Sequence, residues 1–157
     1  MGFRMTDKDR GASYLLKRAA ELANKVEFGV GVPEDAGEYP DGTPVATVAA
    51  AHEFGLNVPQ RSFIRAWFDE KGTGFFGRAL ASMAQNAVLK GVPMELQIAK
   101  FGDASVKEIQ QRMDAGIDPA LQEETVQRKR AGGSTTPETP LEDTHRLRNA
   151  VKWVRRG

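Results

Sequence analysis

Two short stretches near opposite ends of the chain constrain its fold more than any other feature of the sequence. Residues 26–32 read Val-Glu-Phe-Gly-Val-Gly-Val, and residues 151–154 read Val-Lys-Trp-Val. Apolar side chains that alternate with polar or small ones are typical of strands with one buried face. We expect the last stretch to pair with the first, so that both ends of the chain meet in a small, mainly antiparallel sheet.

Apolar residues at helical spacing predict the elements that flank and connect these strands. A first amphipathic helix is predicted over residues 15–26. A second begins at Pro44, after a Thr43 cap, and ends at Gly55. Two further helices follow the apolar residues Phe76, Leu80, Met83 and Ala87, and Val106, Ile109 and Met113. The predicted fold is therefore a single α+β domain over residues 1–157, with the sheet packed by three to four helices.

Three segments lack such periodicity. Residues 33–44 are dense in turn formers, and Pro40-Asp41-Gly42 is a turn sequence. Residues 117–140 predict a long flexible loop, whose most mobile part is 126–140. Residues 1–10 predict a flexible N-terminus. A short last helix is predicted after these, capped by Asp143 or Thr144.

The amino-acid composition excludes most kinds of active site. The 157 residues contain no cysteine and two histidines, His52 and His145, so thiolate chemistry is absent and a histidine metal centre would need carboxylates. His52-Glu53 fails the zinc-protease pattern because Leu56 stands where the second histidine belongs. No apolar run is long enough to cross a bilayer. We therefore predict a non-enzymatic protein with no catalytic, metal-binding or cofactor-binding residues, no cofactor and no membrane contact.

The net charge of +1 hides an uneven distribution. Residues 1–124 hold 14 Lys and Arg against 18 Asp and Glu, whereas residues 125–157 hold 8 against 3. A basic end on an acidic body is consistent with a phosphate or nucleic-acid contact through Arg128-Lys129-Arg130, with complementary charges between neighbouring copies, or with a solvated end. The sequence leaves these three interpretations open.

Residues 59–70 concentrate bulky side chains next to arginines. Phe63, Ile64, Trp67 and Phe68 lie within six positions, together with Arg61 and Arg65. Aromatic and arginine enrichment is typical of binding hot spots, yet helical spacing also favours inward packing. We expect a mixture in which core packing predominates.

Three motifs in this order resemble one known family. They are Val-Ala-Thr-Val-Ala-Ala-Ala-His-Glu-Phe-Gly (45–55) with Val-Pro-Gln-Arg-Ser-Phe-Ile-Arg (58–65), then Asp-Ala-Gly-Ile (114–117) with Leu121 and residues 125–129, and finally Pro-Leu-Glu-Asp-Thr-His-Arg-Leu-Arg-Asn-Ala-Val (140–151). The chain resembles the neck or tail-completion proteins of tailed bacteriophages, small virion-morphogenesis proteins that join head to tail. The likeness extends from about Leu15 to Arg155.

Two positions depart from the family pattern. His145 replaces the usual glycine after Asp-Thr, and Ala150 replaces a serine. If that glycine has a positive φ, then either His145 adopts the strained conformation, at a cost of about a kcal/mol or less, or the local turn differs.

The resemblance implies a structural role in a ring, expected to be hexameric, whose head-to-tail contacts place one face against a different face of the next copy. Other expected partners are connector or adaptor proteins and tail tube or terminator proteins, with genomic DNA passing through the lumen without sequence-specific binding. The expected location is the neck or upper tail of the virion, and the host cytoplasm during assembly. The interface and motif residues that we predict are Glu53, Phe54, Gly55, Asn57, Pro59, Arg61, Phe63, Arg65, Asp143 and Thr144.

Within that set, Arg61 and Arg65 are the expected contacts to a neighbouring subunit or partner, because guanidinium groups bind carboxylates bidentately. An intrachain pair with Glu53 is the competing interpretation. Three other functions stay open at this point. They are a tail terminator that caps the tube, a nucleic-acid-binding protein, and a hydrolase built on His52 and Glu53.

Overall fold

In the computed structural model of the chain, which describes residues 27–141 and 144–156, the two alternating stretches form one antiparallel sheet, as predicted. Strand β1 is Glu27–Gly31 and strand β2 is Lys152–Arg156, with Val30 opposite Trp153. The last strand begins at Lys152 because Val151 ends the preceding helix and is buried in the core. The helix predicted over 15–26, the flexible N-terminus over 1–10 and the cap at Asp143 lie outside the described residues.

Six α-helical segments and one π-helical turn lie between the strands. They are α1 (Val45–Phe54), α2 (Arg65–Trp67), the π-helical turn (Phe68–Gly72), α3 (Thr73–Lys90), α4 (Met94–Asp114), α5 (Glu123–Ala131) and α6 (Arg146–Ala150). The backbone stays helical through the junctions at Phe68 and Thr73, so α2, the π-helical turn and α3 form one continuous helix. The fold is thus α+β, as predicted, with a two-stranded sheet.

Glycines end two of the helices, one of them at the predicted Gly55. Gly55 ends α1 and Gly91 ends α3, both in the left-handed conformation that glycine adopts without steric cost. At the start of α1 the prediction was wrong by one residue. Pro44 occupies the N-cap position and the helix begins at Val45, while the amide of Thr43 donates to the Asp41 side chain instead of Thr43 capping the helix.

The predicted loop over 117–140 contains a helix, so that prediction is wrong for residues 123–131. Only one side chain of α5, Val126, is buried, which explains why hydrophobic periodicity did not indicate it. The helix nevertheless begins with Glu123 and Glu124 and ends with the basic triplet. This order is stabilising, because acidic side chains at the N-terminus and basic side chains at the C-terminus interact favourably with the helix dipole. That order is the signal in the sequence that could have identified α5.

The core lies where α1, α4 and α6 meet the start of the continuous helix. Its most deeply buried side chains are Val45, Phe63, Trp67, Ile109, Met113, Leu147 and Val151. Beside it, Phe28 of β1 stacks on Phe76 and meets Phe101 edge-on, with ring centroids 6.2 and 5.2 Å apart. The sheet therefore packs its apolar face onto α3 and α4.

Glycine at position 102 brings the sheet close to α4. A Cβ added there would lie 2.3 Å from Cδ2 of Trp153, far inside van der Waals contact. The indole Nε1 of Trp153 donates to Asp103 at 2.8 Å. Strand β2 is thereby fixed against the middle of α4 by one close approach and one hydrogen bond.

Candidate functional site

The first motif folds around the carboxylate of Glu53, which is 7% exposed at the end of α1. Its Oε2 accepts the backbone amides of Phe63 and Ile64 at 2.9 and 3.1 Å. Its Oε1 accepts the amide of Arg65 at 2.9 Å and the hydroxyl of Ser62 at 2.6 Å. One carboxylate thus binds four donors at the beginning of the continuous helix, where amides have no partner within the helix.

These hydrogen bonds determine how Glu53 ionises. Burial alone would raise the pKa of this carboxyl, but the Ser62 hydroxyl and the three amides stabilise the charged form and hold the pKa below its ordinary value. Glu53 is consequently ionised near neutral pH, with both oxygens occupied. Such a group is suited to holding a loop in place and is a poor proton acceptor for a hydrolase.

The loop between α1 and α2 closes back on the end of α1. The amide of Arg61 donates to the His52 carbonyl at 2.8 Å, and the Gln60 side chain donates to the Glu53 carbonyl at 3.1 Å. Gly55 and Asn57 both have positive φ, at 73° and 58°. A Cβ on Gly55 would lie 3.0 Å from Cβ of Gln60, so the loop is tightly packed at this turn.

Arg61 and Arg65, which we predicted as contacts to other subunits, have different environments. Arg61 is 4% exposed, and its Nε and Nη2 donate to the carbonyls of Pro119 and Ala120 at 2.8 and 3.2 Å. The peptide bond before Pro119 is cis. The Arg61 guanidinium therefore links this loop to the segment before α5, and it does not form the Glu53 ion pair that we considered.

Arg65, by contrast, lies on the surface. Its amide is bound by Glu53, and its guanidinium lies over the ring of Phe54, 6.0 Å from the centroid. Phe54, at the end of α1, and Leu56, in the loop, are 60% and 56% exposed. The motif thus presents two apolar side chains and one cation to solvent.

Phe54 also lies at the edge of an apolar groove of about 770 Å³. The groove runs between β1, α1 and the beginning of the continuous helix, and buried Phe63 and Trp67 form part of its floor. Phe68 lines the other edge and is 49% exposed. The expected mixture of core packing and exposed aromatics in residues 59–70 is confirmed, since Phe63 and Trp67 are buried and Phe68 is not.

His52 lies on the same helix but contributes no evident chemistry. Burial, with the positive charge of Arg61 as a second cause, lowers the pKa of His52 and favours the neutral ring. Its Nδ1 is buried without a hydrogen-bond partner among the described residues. His52 is therefore a neutral histidine near the end of α1 whose Nδ1 is not satisfied by any described group.

The remaining predicted residues lie in two places. Pro59 is exposed in the loop beside Arg61. Thr144 is exposed before α6, but the N-cap position belongs to His145, and no described side chain caps this helix, so the predicted Thr144 cap is wrong. His145, which stands where the family has a glycine, has a φ of 56°. Of the two alternatives that we considered, the chain thus adopts the strained conformation at His145.

The basic triplet of α5 is largely engaged within the chain. Lys129 donates to the carbonyls of Thr136 and Thr139 at 3.0 and 2.9 Å, and Arg130 pairs with Glu138 at 2.6 Å. These contacts fold residues 132–139 back onto α5. The third member of the triplet, Arg128, is exposed and has no hydrogen bond or ion pair with its side chain among the described residues.

Sequence reasoning missed Ser62 and Leu56. Ser62 both donates to Glu53 and accepts the amide of Ala66 at 3.2 Å, which is the behaviour of a capping residue. A serine immediately before apolar residues at helical spacing is a recognisable signal for that role. Leu56 carries no such signal, because its exposure depends on how the loop turns at Gly55.

Comparison with known proteins adds no relative to this picture. In the described part of the chain no helix is long and apolar enough to cross a membrane, and no three His, Asp or Glu side chains come together in a way that could hold a metal ion. No family model matches the chain, and neither the curated proteins nor the solved structures include a significant match.

Proposed function

We propose that the chain is a structural virion protein of a tailed bacteriophage, located at the head–tail joint. In this role it completes the tail, joins it to the capsid connector, or does both, as one subunit of a ring. The proposal rests on the resemblance of three ordered motifs to the neck and tail-completion family, and on what the first of these motifs presents. It includes the expectation that the protein is not an enzyme.

The observation that supports it most directly is the construction of the Glu53 loop. A buried carboxylate with four donors and a buried arginine hold the loop, while Phe54, Leu56 and Arg65 face outward beside an apolar groove. Rigid presentation of exposed apolar groups next to a cation suits a docking surface. A catalytic site would instead need a nucleophile, base or metal with free coordination or lone pairs.

Imaging of particles assembled without this protein tests the proposal. Filled heads separated from tails of normal length are expected for a joining role. Overlong tails would favour the alternative of a tail terminator. Normal virions of normal infectivity would refute both roles.

Nucleic-acid binding is a separate outcome of the same work. The purified protein should show no salt-dependent DNA affinity in the micromolar range, because two of the three side chains of the basic triplet bind groups of their own chain. A micromolar affinity that falls steeply with salt would contradict this expectation.

A further inference from the structure

Among the described residues, large apolar side chains are exposed in several places, and in two of these they occur in groups. One is the concave groove described above, whose edges carry Phe54 and Phe68; we call it the docking groove. The other lies at the turn where α3 meets α4. Leu89 and Leu96 flank this turn and are 69% and 49% exposed. We call Leu89, Lys90, residues 91–93 and Leu96 the hairpin tip.

The hairpin tip is well ordered by its own hydrogen bonds. The amide of Val92 donates to the Asn86 carbonyl at 3.2 Å, and the buried Gln97 side chain donates to the Val92 carbonyl at 3.1 Å. Gly91 makes the turn with a φ of 64°. A fixed turn with two exposed leucines loses little conformational entropy when it is buried, which favours its use as a contact.

The two surfaces also differ in charge. Residues 27–41, which form β1 and the loop that follows it beside the groove, contain five exposed Asp and Glu and no Lys or Arg. Helix α3, the turn and the first two turns of α4 (residues 73–101) contain three Lys and Arg against one Glu. Opposite charge around complementary apolar shapes favours contact between these surfaces and suppresses contact of either surface with itself.

We propose that the hairpin tip of one copy inserts into the docking groove of the next copy. The apolar side chains of Leu89 and Leu96 then contact the groove floor, and Lys90 faces its acidic side. Since tip and groove are different parts of the surface, each copy uses both, and the contact is head-to-tail. Such contacts close into a ring or continue as a filament, so the inference deepens the proposed function, on which it rests.

The absence of native cysteine allows a direct test by disulfide cross-linking. Full-length protein with Leu96→Cys is mixed with full-length protein carrying Ala50→Cys, a groove residue. We expect a disulfide-linked dimer in the mixture and none in either variant alone. Lys107→Cys is the matched control, because it is exposed on the same face of α4 three turns away and should not cross-link to Ala50→Cys.

A second measurement uses affinity. Leu89→Asp places a charge at the centre of the contact and should raise the dissociation constant between copies at least about 30-fold in sedimentation equilibrium. Lys90→Glu should weaken association several-fold and reduce its dependence on salt. Lys107→Glu, with the same change of charge outside the contact, should leave the dissociation constant unchanged.

The outcomes separate this inference from the proposed function. Rings or virions that contain the protein but give no Leu96→Cys to Ala50→Cys cross-link would overturn the inference alone. So would equal cross-linking from Lys107→Cys, or a disulfide that joins the groove cysteine to another virion protein and not to Leu96→Cys. Normal virions made without the protein would refute the proposed function, whatever the cross-links show.

Discussion

Replacement of Glu53 by glutamine is the sharpest test of the anchored loop, because it keeps the size of the side chain and removes one acceptor oxygen. If the new amide group replaces Oε2, two backbone amides lose their acceptor. If it replaces Oε1, the Ser62 hydroxyl can rotate to accept, and the amide of Arg65 alone is left without a partner. The second orientation is the less costly one, and we expect the variant to adopt it.

The expected loss of stability follows from the number of backbone amides that lose their acceptor. One buried amide without a partner costs about 1–3 kcal/mol, and the remaining hydrogen bonds lose the strengthening that a charged acceptor gives. We expect Glu53→Gln to lower the free energy of unfolding by about 2–4 kcal/mol. For a chain of this size, that corresponds to a fall in melting temperature of roughly 5–15 °C.

The pH dependence of the free energy of unfolding tests the same role of Glu53 independently. A carboxyl whose pKa is lower in the folded protein stabilises it fully above the pKa of the unfolded chain, and this contribution disappears as the pH falls through the folded value. The wild-type protein should therefore lose stability below about pH 4.5 more steeply than Glu53→Gln. Urea unfolding at several pH values measures both effects, with Glu34→Gln, an exposed acid, as the control. A Glu53→Gln variant within about 0.5 kcal/mol of wild type, with a parallel pH profile, would refute the role that we assign to this carboxylate.

Further predictions concern close packing and the buried arginine. Gly55→Ala should lower the free energy of unfolding in urea by about 1–2 kcal/mol, and by more than Gly37→Ala does. Both glycines have positive φ, but only at Gly55 would the added Cβ lie 3.0 Å from a neighbouring atom. Equal losses for the two variants would argue against this close contact. Gly102→Ala should cost about 3 kcal/mol and change the near-UV signal of the tryptophan packed on it. Gly77→Ala, with open space around it in α3, should instead stabilise by about 0.5–1 kcal/mol in calorimetry. Arg61→Met should destabilise by about 2 kcal/mol through the loss of two hydrogen bonds to carbonyls, and an unchanged unfolding midpoint would contradict that role.

The elements with strong periodicity could be predicted from the sequence. The strands at both ends of the chain and the helices ended by Gly55 and Gly91 follow from short-range patterns, since alternation and helical spacing each report on one buried face. Helix α5 could not be found this way because it buries one side chain, Val126. Its order depends on charge placement and on hydrogen bonds that fold residues 132–139 against it.

The segment that forms the site could be predicted from the sequence, but the role of each residue within it could not. Arg61 and Arg65 are four residues apart and chemically identical, yet one is buried against carbonyls that lie 58 and 59 residues further along the chain, and the other is exposed. Nothing near either arginine in the sequence distinguishes them. Likewise, Glu53 was predicted as a helix end, whereas its function as a cap for a different helix depends on the turn that brings residues 62–65 to it.

The π-helical turn has a consequence for how this chain can vary in length. The π-helical turn Phe68–Gly72 holds one more residue than an α-helical turn. The helix before it and the helix after it therefore keep their relative orientation if that extra residue is removed from the turn itself. A single deletion there would restore an ordinary helix and leave both flanking faces in phase. The same deletion within α3 would rotate every later side chain by about 100° and move Leu89 to another side of the molecule. Natural or engineered changes of length should therefore be tolerated at these five residues and rejected on either side of them.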